Sequence, residues 1–157
     1  MKLAVLIAAG ALASTPSPGG VGRVALPLDA PAAPLDTTSA ADAILGNWWS
    51  EGKEGLMRFE KTQSGLFQVR VLDGVDADKK DSNNPDPKLR ERRLRGIVLM
   101  WNLRFEDGEY VGGYCYNPRD GKTYRVKFKL LSPTQLRLRG YLGVPLLGQS
   151  QEWTRAA

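Results

Sequence analysis

The chain carries 17 carboxylate side chains, one thiol and no histidine, which narrows the chemistry open to it. Without imidazole it lacks the commonest general base near neutral pH and the commonest metal ligand. No Ser-His or Cys-His pair can form, no glycine-rich loop with lysine is present to cradle phosphate, and no Cys/His spacing suits a metal. Two carboxylates could still act as a hydrolytic pair, and Glu60, Asp73, Glu109 and Glu152 would be its candidates. Their spacing does not require it. The densest oxygen cluster is Asp73, Asp76, Asp78, Asp81 and Asp86 with Asn83 and Asn84. A hard cation wants about six to eight such oxygens. Counted from Asp81, however, the fifth position is Pro85 and the twelfth is Arg92, so no EF-hand closes. Asp81, Asn84 and Asp86 suit turn caps instead, stiffened by Pro85 and Pro87. No catalytic residue, metal or cofactor is assigned.

Basic residues gather in two places. Lys88, Arg90, Arg92, Arg93 and Arg95, with Glu91 opposed, follow the acidic cluster. They could dock an anionic group, since arginine matches carboxylate and phosphate with two parallel bonds. They could equally fold back onto the acidic half of their own segment. The second group is Arg125, Lys127, Lys129, Arg137 and Arg139. A three-residue turn at Ser132–Thr134 would place Leu131 opposite Gln135, Lys129 opposite Arg137 and Lys127 opposite Arg139. Like charges facing each other across a ladder are mildly destabilising. This group, with Arg92, Arg93 and Arg95, forms a candidate patch for an anionic envelope surface; the alternative is that long side chains splay into water.

These residues must be positioned by strands. From Asn47 onward, apolar and polar residues alternate with period two, which predicts eight strands: Asn47–Ser50, Gly55–Lys61, Leu66–Leu72, Gly96–Phe105, Glu109–Tyr116, Lys122–Leu131, Gln135–Tyr141 and Gln149–Arg155. One helical turn at Ala40–Leu45 precedes them and Gly46 stops it. Most connections are short and rich in turn residues, so neighbours in sequence pair antiparallel. One oily face repeated around eight strands predicts an all-β, up-and-down antiparallel barrel, with a two-sheet sandwich as the other architecture of similar pattern. Expected interior residues are Trp48, Met57, Phe59, Phe67, Val69, Val71, Ile97, Leu99, Trp101, Leu103, Val126, Phe128, Leu136 and Leu138. Of these, Trp48, Phe59, Phe67, Leu99, Trp101, Leu103, Phe128 and Leu138 are the candidate walls of a pocket for a small hydrophobic ligand. A barrel of this size either fills with side chains or holds one such ligand. In the filled case, the basic exterior would be the working surface of an envelope interaction module. The oily segment Leu142–Leu147 reads as a crossover folded over one mouth.

Ahead of the strands, Lys2 and the apolar run Leu3–Ala13 read as a secretory signal over residues 1–13, too short to span a bilayer as a helix. Residues 14–40, broken by Pro16, Pro18, Pro27, Pro31 and Pro34, read as a disordered linker reaching about 30 Å. The barrel domain then covers 41–157. The net charge of +5 falls outside the first forty residues, where Lys2 and Arg23 balance Asp29 and Asp36. An exported destination, periplasmic or secreted, excludes nucleic acid as a partner of Tyr110, Tyr114, Tyr116 and Tyr124, although such aromatics could stack on bases. Cys115 alone cannot make an intrachain disulfide.

Two resemblances follow from particular motifs. Gly46-Asn47-Trp48 and the terminal Trp153-Thr154-Arg155 resemble the calycin signature of lipocalins, in which an early tryptophan is covered by an arginine from the last strand. The segments DSNNPDPKLRERRLRG, YNPRDGKTY and RGYLGVPLLGQSQEWTR resemble the bacterial envelope family labelled domain of unknown function 2147 over residues 44–155. That resemblance implies a signal peptide followed by a small lipocalin-like barrel closed by Gly46, Trp48, Trp153 and Arg155. It transfers no catalytic residue. Cys115 stands where the family pattern would carry an aliphatic side chain, which argues against a redox role.

Overall fold

The computed structural model describes residues 37–143 and 148–157. Eight strands, β1 (Gly46–Trp49), β2 (Gly55–Lys61), β3 (Phe67–Gly74), β4 (Val98–Glu106), β5 (Glu109–Asn117), β6 (Lys122–Ser132), β7 (Gln135–Tyr141) and β8 (Gln149–Arg155), form one closed barrel in sequence order. Every neighbouring pair is antiparallel. Closure comes from β1 meeting β8, with Trp48 opposite Arg155 and Trp49 opposite Thr154. The ring leaves no sheet edge among its strands, which is what separates a barrel from the sandwich alternative. A short helix, α1, spans Thr37–Asp42, earlier than the turn expected from Ala40 to Leu45. The expected signal segment and most of the linker lie outside the described residues, as do Val144–Leu147 of the oily crossover.

The period-two pattern places Met57, Phe59, Phe67, Val69, Val71, Val126, Phe128, Leu136 and Leu138 in the core, each at most 2 % exposed. Between them, toward the ends of β1 and β8, four rings interlock. Phe59 meets Phe128 edge-on at 4.9 Å, and Trp153 stands 5.8 Å from Phe128 and 6.3 Å from Phe59. Trp48 completes the set at 6.5 Å from Phe59. Each such side chain contributes about 1.5–3 kcal/mol by burial, and edge-to-face pairing adds about 0.5–1.5 kcal/mol. Bulky rings also need room. Gly113 supplies it, because a Cβ there would lie 2.4 Å from Leu103 Cδ2.

Strand β4 departs from the expected alternation. Trp101, expected inside, stands on the outer face and is 37 % exposed. Asn102 adopts φ +66° next to it, a left-handed conformation that asparagine tolerates better than most residues. Trp101 and Asn102 therefore both face out, while Met100 and Leu103 on either side are fully buried. A further register slip lies between Val69 and Arg70 of β3, which pair with Met100 and Val98; Leu99 falls between and is buried too. Ile97 is only partly buried, just ahead of the strand. Such bulges add one residue to a strand and reset its phase. The β6–β7 hairpin shows the same device. Ser132, not Leu131, pairs with Gln135, and a slip at Leu131 restores Leu130 opposite Leu136.

Candidate functional site

The two ends of the barrel differ. At one end, the Arg155 guanidinium lies 4.2 Å over the Trp48 ring. It donates to three backbone carbonyls: Ala43 at 2.6 Å, Leu45 at 2.9 Å and Pro133 at 2.7 Å. Trp48 Nε1 in turn donates to the Ile44 carbonyl at 2.8 Å. Gly46 sits at φ +116°, and a Cβ there would come 3.2 Å from Arg155 Nη1, so the glycine admits both the turn and the arginine. The Tyr110 hydroxyl reaches across to donate to the Ala41 carbonyl at 2.7 Å, fastening the end of α1 over this end of the barrel. Burial pushes that phenol up to about 12. This end is sealed.

The other end, the mouth, carries the long β3–β4 connection, residues 75–97. Its legs run antiparallel: Asp81 N donates to Arg92 O, Leu94 N to Lys79 O and Arg95 N to Ala77 O. The fully buried Asp81 carboxylate holds them together. It accepts from the Tyr116 hydroxyl at 2.5 Å, from Asn84 Nδ2 at 2.7 Å and from Arg92 Nε at 3.0 Å. Burial and the Asp81 charge raise the Tyr116 phenol above its ordinary range. Asn83 Nδ2 donates to the Pro118 and Arg119 carbonyls of the β5–β6 turn, at 3.1 and 2.8 Å. At Gly121 a Cβ would lie 2.1 Å from the Asn83 carbonyl oxygen. The Asp81–Pro87 segment and the Tyr116–Gly121 turn, far apart in sequence, thus form one rigid unit at the mouth.

These contacts account for two of the sequence motifs. Residues 46–155 match the family described as "Uncharacterized protein conserved in bacteria (DUF2147)". The chain belongs to that family. A solved structure described as "Protein HP1028 from the human pathogen Helicobacter pylori belongs to the lipocalin family" superposes on this DUF2147 chain with TM-score 0.65. It is 30 % identical, over 73 % of this chain and 83 % of that one. No curated protein matches the chain.

Within the DUF2147 barrel, the expected basic patch divides in two. Arg92, Arg93 and Arg95 are engaged by the acidic half of their own connection. Arg92 meets Asp81 at 2.9 Å, Arg93 meets Asp78 at 3.4 Å, and Arg95 meets Asp73 and Asp78, both at 3.0 Å. Lys80 pairs with Glu91 alongside. The Arg95 guanidinium and the Gly74 amide hold Asp73 below the usual carboxylate range, the amide contributing most. These three arginines thus pair with the acidic half of their own connection, while Arg93 and Arg95 stay exposed. The segment folds back on itself because its opposite charges face each other across the two legs.

Arg125, Lys127, Lys129, Arg137 and Arg139 share the outer face of β6 and β7, with Lys127 opposite Arg139 and Lys129 opposite Arg137. Two carboxylates temper the repulsion: Glu109 lies 3.0 Å from Lys127 and 3.7 Å from Lys129, and Glu152 lies 2.7 Å from Arg137. An open cleft of about 340 Å³ runs between these side chains and Ser150. The four carboxylates considered for hydrolysis do not pair with one another. Glu60 is held by Arg70 and Asp73 by Arg95, while Glu109 and Glu152 serve the basic rows. Among the described residues, no three His, Cys, Asp or Glu side chains are grouped to hold a metal ion. Cys115 is buried, and burial pushes its thiol up to about 12, far from a reactive thiolate. No described helix is long and apolar enough to cross a membrane.

Of the eight expected pocket residues, Trp48, Phe59 and Phe128 belong to the aromatic cluster near the seal, and Phe67 packs edge-on against Tyr110 at 5.2 Å. Leu99, Leu103 and Leu138 are buried, and Trp101 is outside. The buried residues toward the mouth include Met100, Cys115, Tyr124 and Gln151, which were not among the expected interior set. Gln151 could have been found, since it occupies the inward parity that Trp153 announces. Met100 could not, because only the bulge turns it inward.

Proposed function

We propose that the protein is an exported, non-enzymatic barrel that binds a small apolar, lipid-like molecule through its mouth. The observation that carries this reading is the inequality of the two ends. The Arg155–Trp48 end spends its guanidinium hydrogen bonds on closing the barrel, so entry belongs to the mouth, where Val71, Met100, Cys115 and Leu138 give an apolar wall. Tyr124 and Gln151 supply the few polar groups that would orient a ligand. The Tyr124 hydroxyl donates its proton to Asp120 at 2.5 Å, which raises the phenol to about 12 and leaves its oxygen as the acceptor a ligand would meet. The likeness to a Helicobacter pylori protein described as a lipocalin supports a binding role for the fold. Export rests on the N-terminal signal read from residues 1–13.

The test pairs native mass spectrometry of protein purified from its own envelope with titration by an environment-sensitive fatty-acid probe. A copurifying hydrophobe that the probe displaces is the expected result. An empty barrel that leaves the probe unchanged up to its solubility limit refutes the reading.

A further inference from the structure

The outer face of β4–β7 carries a second feature, distinct from the mouth. Trp101, Tyr114, Arg125 and Tyr141 are consecutive register partners across four strands, so they stand in one row. Trp101 stacks on Tyr114, with ring planes 23° apart and centroids separated by 6.0 Å. The Arg125 guanidinium also lies over the Tyr114 ring, 4.5 Å from its centroid. Among the described residues Arg125 makes no ion pair or hydrogen bond through its side chain; the stack alone holds it, and its N–H groups remain unspent. Next to this row along the strands come the basic rows of the cleft. Five cations, Arg125, Lys127, Lys129, Arg137 and Arg139, stand against two carboxylates, Glu109 and Glu152.

We infer that this face binds an acidic glycan, a chain of sugars bearing carboxylates. Two properties select that class. The excess of cations favours an anionic partner, and guanidinium groups match carboxylates with paired hydrogen bonds. An exposed tryptophan ring beside them offers an apolar face against which the C–H face of a sugar packs. A lipid surface fits less well. Among the described residues, the other exposed large apolar side chains are Val75, Leu89, Leu131 and Leu142, of which only Leu131 lies on these strands.

The full protein is titrated with an oligo-guluronate, with a neutral cello-oligosaccharide and with phosphatidylglycerol vesicles, at low and moderate salt. Binding is read by calorimetry and tryptophan fluorescence. The uronate chain is expected to bind saturably and to weaken as salt rises, with the neutral sugar and the vesicles much weaker. Arg125→Gln and Trp101→Ala should each weaken uronate binding about tenfold, the range of a lost charge-assisted contact. Lys88→Gln, in the β3–β4 connection, should leave it unchanged. Equal urea midpoints for all variants show that folding is intact; if one is displaced, the other row variant carries the comparison. Equal binding of the neutral sugar, preference for vesicles, absence of uronate binding, or unaltered affinity in both row variants overturns the inference.

Discussion

Replacing Arg155 with alanine tests the closure on which the sealed end depends. The β1–β8 seam has only two register pairs, supplemented by Ala156 N donating to the Asn47 carbonyl. Arg155 therefore does much of the joining through its three carbonyl contacts and its place over Trp48. Because the carbonyls lie near water, each bond is worth about 1 kcal/mol net, and a cation–π contact at a half-exposed site adds about 1 kcal/mol. The expected loss is about 3–4 kcal/mol, set against a total stability of about 5–15 kcal/mol for ordinary domains. Arg155→Lys keeps the charge but cannot fork to three acceptors, so about half the loss is expected. Urea unfolding followed by tryptophan fluorescence measures both, and a fall in midpoint at constant slope identifies a stability change. Hydrogen exchange should show the Ala156 amide losing protection first. A loss under about 1 kcal/mol for Arg155→Ala, or a lysine variant as stable as the parent, would refute the assignment of closure to this side chain.

Three further outcomes follow from the geometry. Asp81→Asn leaves Arg92 and the Tyr116 hydroxyl without their buried anion, and losing hydrogen bonds to such a group costs about 1–3 kcal/mol; trypsin should then cut the 75–97 connection faster while the barrel persists. Gly113→Ala forces a methyl against Leu103, and overpacking of this kind costs about 1–3 kcal/mol, measurable as a lower melting temperature with unchanged far-ultraviolet dichroism. Among the five tyrosines, Tyr110 and Tyr124 should ionise near 12, and Tyr116 should also ionise late, as absorbance of phenolate. Their folded values lie above the ordinary one near 10, so the stability they contribute is complete below pH 10 and is lost as pH rises from 10 through 12. Unfolding that begins without any dependence on pH across that window would contradict this.

Much of the architecture was legible because a strand's side chains alternate, and alternation over Phe67–Val71 or Tyr124–Leu130 survives any detail of neighbouring structure. The pairing of Lys127 with Arg139 was legible as well, though through an incorrect turn: the structure reaches the same register with a shorter turn and a bulge at Leu131. The basic connection was ambiguous in sequence, since Arg92, Arg93 and Arg95 read equally as a docking site or as internal partners. Only the distances reveal their internal pairs with Asp73, Asp78 and Asp81. The row Trp101–Tyr114–Arg125–Tyr141 was invisible, because it needs the register of four strands at once.

The amino-acid sequence by itself determined eight alternating strands, and its resemblance to the calycin signature named an early tryptophan and a late arginine as partners. Those properties depend on local periodicity and on residue type. Tertiary structure alone decided which face Trp101 occupies, what Asp81 gathers around it and which cations remain uncommitted. The physical reason is that a single bulge residue moves every later side chain to the other face, and an ion pair depends on distance in space, neither of which is written in the spacing along the chain.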